Sequence, residues 1–195
     1  MVKVQDGTGD RYEARVDKNK MIHTLAMNVP SIMRHSIVDA DAFTVHFHFK
    51  QGVAGATEYM GYLTYTGDDV LVLDRIIFCT EESAKTAFML TLDATGMSGG
   101  GTVTPINLNR TSANTINVTS VHQNDTPGSP ITVTSVGTHW FCSRLNGPGT
   151  LEFKFDQSVI MGKNDNILVM VKADNANSLV RSTLFYFEDE VAIYE

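Results

Sequence analysis

The stretch that decides the fold is Ala42–Lys50, which reads AFTVHFHFK. Large apolar residues occupy alternate positions, Phe43, Val45, Phe47 and Phe49, with polar residues between them. Successive side chains of a β-strand point to opposite faces, so this period of two predicts a strand with one buried face. The aromatic and β-branched residues of the stretch favour the same structure.

Similar patterns continue towards the C-terminus. We predict further strands at residues 59–66, 70–78, 87–92, 102–108, 115–122, 131–136, 151–160, 167–172, 184–188 and 191–194. The strand at 70–78 is expected to bend at Asp74 and Arg75 or to be buried on both faces, and residues 80–85 to form a helical turn. Polar turn sequences separate the strands. The pattern predicts an all-β protein, a jelly-roll-like antiparallel β-sandwich.

The first 38 residues differ from the rest. Tyr12, Ala14 and Val16 alternate with charged residues, which predicts one short strand, and Pro30 disfavours a long helix over residues 21–38. This segment has too few apolar groups to hold itself folded, so it would join a sheet edge or lie along a neighbouring subunit. We therefore predict an extended N-terminal arm or linker for assembly contacts at 1–38 and the β-sandwich domain at 39–195.

The charge and hydropathy of the chain limit the classes of partner that we expect it to bind. The chain has 195 residues, a formal net charge of −7 and a pI of about 5.3. Phosphate contacts need clustered Lys and Arg, which this chain lacks, so no nucleic-acid partner is expected. No stretch approaches the roughly 20 apolar residues of a membrane span, and residues 1–10 do not resemble a secretory signal. We expect a soluble protein made in a cytosol, with no membrane partner.

Two histidines raise the question of a metal. His46 and His48 lie two residues apart, on one face of the predicted strand, and such a pair can ligate a metal when a third ligand is nearby. The sequence identifies no third ligand, so we interpret them as polar-face histidines. Residues 6–10, DGTGD, have closely spaced carboxylates but lack the ligand spacing of a calcium loop, and a glycine turn is favoured.

Nucleophile and phosphate motifs are also weak. Ser98 lies in a Gly-x-Ser-x-Gly match, but that motif requires a helix directly after the serine, whereas glycines follow here. The Gly-rich loop at 96–101 lacks the Lys-Ser or Lys-Thr pair of a phosphate-binding loop. We predict no catalytic residue, no metal ligand and no cofactor, and thus no enzyme. A jelly-roll carbohydrate-active or metal-dependent enzyme stays open as a third alternative, because carboxylate pairs are assembled only in space.

The cysteines and the tryptophan are assigned to the interior. Cys79 and Cys142 lie in apolar stretches and match no zinc or redox motif, so we predict two buried free thiols, although the sequence leaves their redox state open. Trp140 is predicted to be a core residue. The alternative is an exposed ring that stacks on a sugar.

Four stretches of the sequence carry a family resemblance. The N-terminal VQDGTG at residues 4–9 and ARVDKNKMIHT at 14–24, with LDRIIF at 73–78 and PINLNRTS at 105–112, resemble tailed-bacteriophage virion structural proteins of the head decoration, or cement, family. The resemblance spans most of the chain. It implies a homotrimer on the outer capsid surface of the virion, with the major capsid protein and copies of itself as partners, made in the host cytoplasm.

The resemblance therefore predicts a capsid decoration protein that binds and stabilises a phage head. Arm residues are the candidate assembly contacts, acting as packing groups: Tyr12, Val16, Met21, Ile22 and Leu25. The alternative is a tail, fibre or baseplate module that contacts the host or a glycan.

Overall fold

The computed structural model of the protein describes residues 15–16, 22–23, 32, 35–36, 40–83, 85–122 and 130–189. The chain divides into two units, Met1–Pro30 and Ser31–Glu195. The predicted boundary between residues 38 and 39 stays a prediction. Among the residues just given, no helix combines the length and the apolar character that crossing a membrane requires.

The strands follow in chain order. They are β1 (Arg15–Val16), β2 (Ile22–His23), β3 (Ala42–Lys50), β4 (Glu58–Tyr65), β5 (Val70–Thr80), β6 (Thr86–Leu92), β7 (Gly101–Thr102), β8 (Ile106–Asn107), β9 (Val118–His122), β10 (Thr138–Leu145), β11 (Gly149–Met161), β12 (Asn166–Ala173) and β13 (Leu179–Asp189). In the first unit, β1 and β2 form a small antiparallel pair, with Val16 opposite Ile22. All other strands belong to the second unit.

The second unit contains two antiparallel sheets. The six-stranded sheet has the order β10-β6-β12-β4-β9-β7, and the five-stranded sheet has the order β11-β5-β13-β3-β8. The eight longer strands pair as β3 with β13, β4 with β12, β5 with β11 and β6 with β10. This is the pairing of one long hairpin rolled into two layers, the jelly-roll arrangement. The predicted all-β, antiparallel sandwich is confirmed.

Several local predictions are corrected. Residues 102–108 form the two short strands β7 and β8, which lie in different sheets, because Pro105 cannot donate a ladder hydrogen bond. Residues 131–136 make only isolated bridges at Thr132 and Ser135, and Ser83 lies in a bend, not in a helical turn. The strand β10 was not predicted. The predicted strand at 191–194 lies outside the described residues.

The predicted bend in β5 is confirmed. Arg75 pairs with Phe185 and Leu73 pairs with Tyr186, so Asp74 is an extra residue against β13. An extra residue forms a β-bulge, which bends its strand and lets two consecutive polar residues point away from the core.

The main core lies between the two sheets. Its largest side chains come from both layers, including Phe47, Phe49 and Phe78 from the five-stranded sheet and Met60, Leu63 and Phe88 from the six-stranded sheet. The rings of Phe78 and Phe88 stack across the layers with centroids 4.4 Å apart. The alternating residues of β3 account for this, because Phe43, Val45, Phe47 and Phe49 are all buried while His46 is exposed.

Each sheet also buries apolar residues on its outer face. On the six-stranded sheet, Tyr62, Leu168 and Met170 pack with Ala94 and Ile131, which lie in the connections before β7 and before β10. Asn166 holds the first connection in place: its Nδ2 donates to the Ala94 carbonyl and its Oδ1 accepts from the Ala94 N–H, both at 3.0 Å. Satisfied buried polar groups of this kind select one arrangement of a loop.

The outer face of the five-stranded sheet has a smaller cover. Ile32 is buried in a cluster with Ala42, Val72 and Phe187, and His35 stacks on Phe187 with ring centroids 4.1 Å apart. The His35 ring nitrogen Nδ1 lies 2.9 Å from Asp41 Oδ1. These two residues therefore pack against the chain's own sandwich.

Three tyrosines are held in surroundings that oppose ionisation. Burial raises the pKa of Tyr62 and of Tyr186 above the ordinary value of 10.0. Burial also raises the pKa of Tyr65, and the Glu188 carboxylate, which accepts the Tyr65 hydrogen bond at 2.5 Å, raises it further.

We expect the free energy of unfolding to fall as the pH rises above about 10. The unfolded chain releases the protons of Tyr62, Tyr65 and Tyr186 near the ordinary phenol pKa, whereas the folded protein retains them. Stability from these groups is thus fully present below that pH and is lost above it. Urea unfolding at several pH values measures the slope, and the variant Tyr186→Phe should reduce it. Titration of all six tyrosines of the folded protein near pH 10 would contradict the prediction.

Candidate interaction surface

The predicted contact residues of the arm are only partly described. Val16 of β1 lies opposite Ile22 of β2, and the structure describes the backbone of both residues. Tyr12, Met21 and Leu25 lie outside the described residues, as does the DGTGD turn. The role of these five side chains in assembly stays a prediction.

The two histidines of β3 lie on the outer face of the five-stranded sheet. His46 Nδ1 is 3.0 Å from Thr183 Oγ1, on the neighbouring strand β13, and His48 lies opposite Arg181. The Arg181 guanidinium pairs with Glu81, with Nη1 3.2 Å from Oε1. Over the described parts of the chain, no group of three or more His, Cys, Asp or Glu side chains is arranged to hold a metal ion.

Ser98 has neighbours that do not activate a nucleophile. Its hydroxyl lies 2.7 Å from Thr132 Oγ1, and its backbone N–H donates to the Thr132 carbonyl at 3.0 Å. A serine nucleophile needs a base within hydrogen-bond reach, and a threonine hydroxyl is not one. The residue after this loop enters the short strand β7, so the strand-to-helix turn that the motif requires is not formed here.

The recessed surface near β8 is shallow. A depression of about 310 Å³ is lined by Pro105, Ile106, Asn107, Asn109, Arg110 and Ser112. Among its described lining residues only Arg110 is charged, so these residues offer no pair of titratable groups for general acid–base chemistry.

The prediction that both thiols are buried is wrong. Both cysteines are free, but Cys142 is exposed and Cys79 is half-buried. Each points away from the main core because it alternates with a core aromatic, Phe141 before Cys142 and Phe78 before Cys79.

The prediction of a core tryptophan is also corrected. Trp140 is 38% exposed. In the pairing of β10 with β6, His139 lies opposite Thr91 and Phe141 opposite Leu90, so Trp140 is the extra residue of a β-bulge. Because a bulge re-aims a side chain, Trp140 and the next residue, Phe141, both reach β11.

Trp140 and Phe141 of β10, with Phe153 and Phe155 of β11, form an aromatic cluster that we call the aromatic edge. The Trp140 ring stacks on Phe155, with ring centroids 5.3 Å apart, and meets Phe153 edge-on, with centroids 5.7 Å apart. The ring centroids of Phe141 and Phe153 are 4.3 Å apart. Together these rings close the gap between the two layers. Phe155 is only 2% exposed, so the tryptophan ring covers it.

Both strands of the aromatic edge are edge strands. β10 ends the six-stranded sheet and β11 ends the five-stranded sheet, on the same side of the sandwich. Each pairs with one neighbour among the described strands. An edge strand with unpaired N–H and C=O groups can pair with another strand, and an exposed tryptophan beside it adds apolar area for a contact.

An ion network borders this surface on the outer face of β11. Arg75 Nη1 lies 3.1 Å from Glu152 Oε1, and Arg75 Nε lies 3.2 Å from Asp74 Oδ2. The Arg75 guanidinium also lies 5.0 Å from the centroid of the Phe185 ring. These contacts hold Glu152 in place beside the edge.

The aromatic edge was missed by sequence reasoning. The alternation of Leu151, Phe153 and Phe155 with Glu152 and Lys154 predicted the strand, but alternation is the same in central and edge strands. The tryptophan looked like core because a bulge has no signal in a single sequence. No protein-family model and no curated protein matches the chain.

Proposed function

We propose that this chain is a structural protein of a virus particle, a decoration or cement protein that binds the outer surface of a phage head and stabilises it. The resemblance of residues 4–24, 73–78 and 105–112 to tailed-phage virion proteins supports the proposal. Its partners are then the major capsid protein and copies of itself, as a homotrimer by the same resemblance. It would be made in the host cytoplasm and act on the capsid surface.

The observation that carries the proposal is the aromatic edge. Trp140 is exposed over the buried Phe155 and the half-buried Phe153. The two strands that hold these rings, β10 and β11, are edge strands that each have one neighbour in the described sandwich. Exposed apolar groups on an open sheet edge are typical of surfaces that bind protein. The contacts of His46 with Thr183 and of Ser98 with Thr132 also support the proposal, because they favour structural roles for these residues.

The arm supplies the proposed capsid contact. Ile32 and His35 pack on the sandwich, so we assign the proposed capsid contact to residues 1–30 of the predicted arm. Tyr12, Val16, Met21, Ile22 and Leu25 all lie in that part. Binding a chain segment costs conformational entropy, which burial of its apolar side chains against a partner surface can offset.

We expect the full chain with all five of these residues replaced by Ser to lose at least about nine-tenths of its occupancy on parent capsids, because apolar burial drives such contacts. Co-sedimentation with capsids that lack the protein measures the occupancy. The matched control replaces Lys18 and Lys20 by Ser, which leaves the apolar groups in place. Full occupancy by the five-residue variant would overturn the role of the arm.

A tail, fibre or baseplate module is the second candidate, and the exposed ring of Trp140 favours it, because aromatic rings stack on sugars. Immunogold labelling of the parent particle separates the two. Label over the head supports decoration. Label confined to the tail, with glycan binding that is lost in Trp140→Ala, would replace the decoration proposal with the second candidate.

A further inference from the structure

The edge strand β11 has a regular segment available for pairing. From Gly149 to Lys154 its residues pair with Thr80 to Arg75 of β5 without interruption. The register breaks only after Lys154. The side of this segment that faces away from β5 has no partner among the strands that the structure describes.

The segment separates charged from apolar residues cleanly. Glu152 and Lys154 are exposed on the outer face of the sheet, whereas Leu151 and Phe153 are half-buried on the inner face. If the segment pairs with an identical segment, the two copies must run antiparallel about a two-fold axis for the outer faces to coincide.

Among the registers with the axis at Glu152, Phe153 or Lys154, only one pairs unlike charges. With the axis at Phe153, Glu152 lies opposite Lys154 of the second copy, and Lys154 lies opposite Glu152, so both cross-strand pairs join unlike charges. With the axis at Glu152 or at Lys154, identical charges lie directly opposite each other, which is destabilising. Any register shifted by one residue places charged residues against apolar ones.

The surroundings of the segment favour a second copy of the chain as the occupant. Asp74, Arg75, Glu152 and Lys154 form a patch with two negative and two positive charges, which is neutral, whereas the whole chain carries −7. A neutral patch lets two copies approach without adding to the repulsion that the net charge of −7 causes. The exposed Trp140 lies beside Phe153, where the second copy would cover it.

We infer that two copies of this chain associate through β11, antiparallel and with Phe153 on the two-fold axis, so that the five-stranded sheets of both copies become one continuous sheet. This inference stands on the edge geometry and does not depend on the virion proposal. A three-fold contact of the kind that the resemblance implies would use another surface.

Charge exchange tests the pairing on the full chain. We expect Glu152→Lys and Lys154→Glu each to weaken the two-fold association by about tenfold, because each places like charges opposite each other twice. The double variant Glu152→Lys with Lys154→Glu restores unlike pairs and should associate as the original does. Sedimentation equilibrium measures the dissociation constants, and circular dichroism checks that each variant is folded.

Two results would overturn the inference. One is an original protein that stays monomeric or forms only odd-numbered oligomers. The other is a double variant that associates no better than the single ones, because single-site damage would then explain the loss.

Cross-linking tests the register independently of charge. Directly opposite residues in an antiparallel pair have Cα atoms about 4.5–5.5 Å apart, within disulfide range, whereas diagonal neighbours are about 7–8 Å apart. In a background with Cys79→Ser and Cys142→Ser, we expect oxidation of a mixture of Glu152→Cys and Lys154→Cys chains to give cross-linked dimers. Either variant alone should give few. Equal cross-linking in the mixture and in the separate samples would exclude the Phe153 axis.

Discussion

Replacing Phe78 by Ala should lower the free energy of unfolding by about 3–5 kcal/mol, the range for loss of a buried aromatic ring. Phe78 is completely buried, lies on β5 of the five-stranded sheet and stacks on Phe88 of the six-stranded sheet. It also lies parallel to Phe141, with centroids 6.3 Å apart. The ring therefore joins the two layers beside the aromatic edge, and neither sheet can move inwards fully to fill the space it leaves.

Urea unfolding gives the measurement, and the single tryptophan, Trp140, is a convenient fluorescent probe. The matched control is Phe78→Leu, which keeps most of the apolar volume and should cost only about 1 kcal/mol. A loss for Phe78→Ala no larger than that for the control would show that the contact between the layers contributes little.

We expect Gly137→Ala to lower the free energy of unfolding by about 3 kcal/mol. Gly137 has a φ of 73°, in the left-handed region, at the turn where the chain leaves the outer cover of the six-stranded sheet and enters β10. A Cβ at this position would lie 2.7 Å from the backbone nitrogen of Ala94 and would collide with the Leu92 carbonyl oxygen. Leu92 ends the central strand β6 and Asn166 holds Ala94, so these backbone atoms cannot move aside cheaply and the start of β10 would have to shift.

Gly55 provides the control, because its φ of 70° is nearly the same and a Cβ there would meet no atom within 4 Å. Gly55→Ala should therefore cost about 1 kcal/mol, from the backbone conformation alone. Thermal melting of both variants separates strain from collision. Equal losses would mean that the packing around Gly137 yields easily.

The local pattern of this chain predicted most of its strands. The alternation in Ala42–Lys50 produced a strand with a buried aromatic face, and the break at Asp74 and Arg75 produced a bulge. Local patterns were insufficient at residues 102–108 and 131–136, where apolar and β-branched residues suggested strands. There the chain makes short strands in both sheets or isolated bridges. Pro105 interrupts the first segment, and Ile131, Val133 and Val136 of the second pack in the outer cover of the six-stranded sheet.

The candidate site was less predictable than the fold. The motifs that suggest chemistry, His46 with His48 and the serine motif at Ser98, are visible in a single sequence. The structure places Thr183 beside His46 and Thr132 beside Ser98. The aromatic edge has no motif. It arises because a bulge turns Trp140 towards Phe155, and because residues that are distant in sequence leave β10 and β11 at the ends of their sheets.

The sequence by itself determined that this protein is built from strands with one apolar face, since alternation and turn residues act over a few neighbouring positions. Only the tertiary structure decided which strands are central and which are edges. That choice depends on pairings between distant segments, such as β3 with β13, whose Thr44 and Leu184 are 140 residues apart. The same long-range pairing leaves β11 with one neighbour among the described strands, because a rolled sandwich keeps open edges that a closed barrel does not have. It also brings Glu152, Lys154 and the exposed Trp140 to one surface.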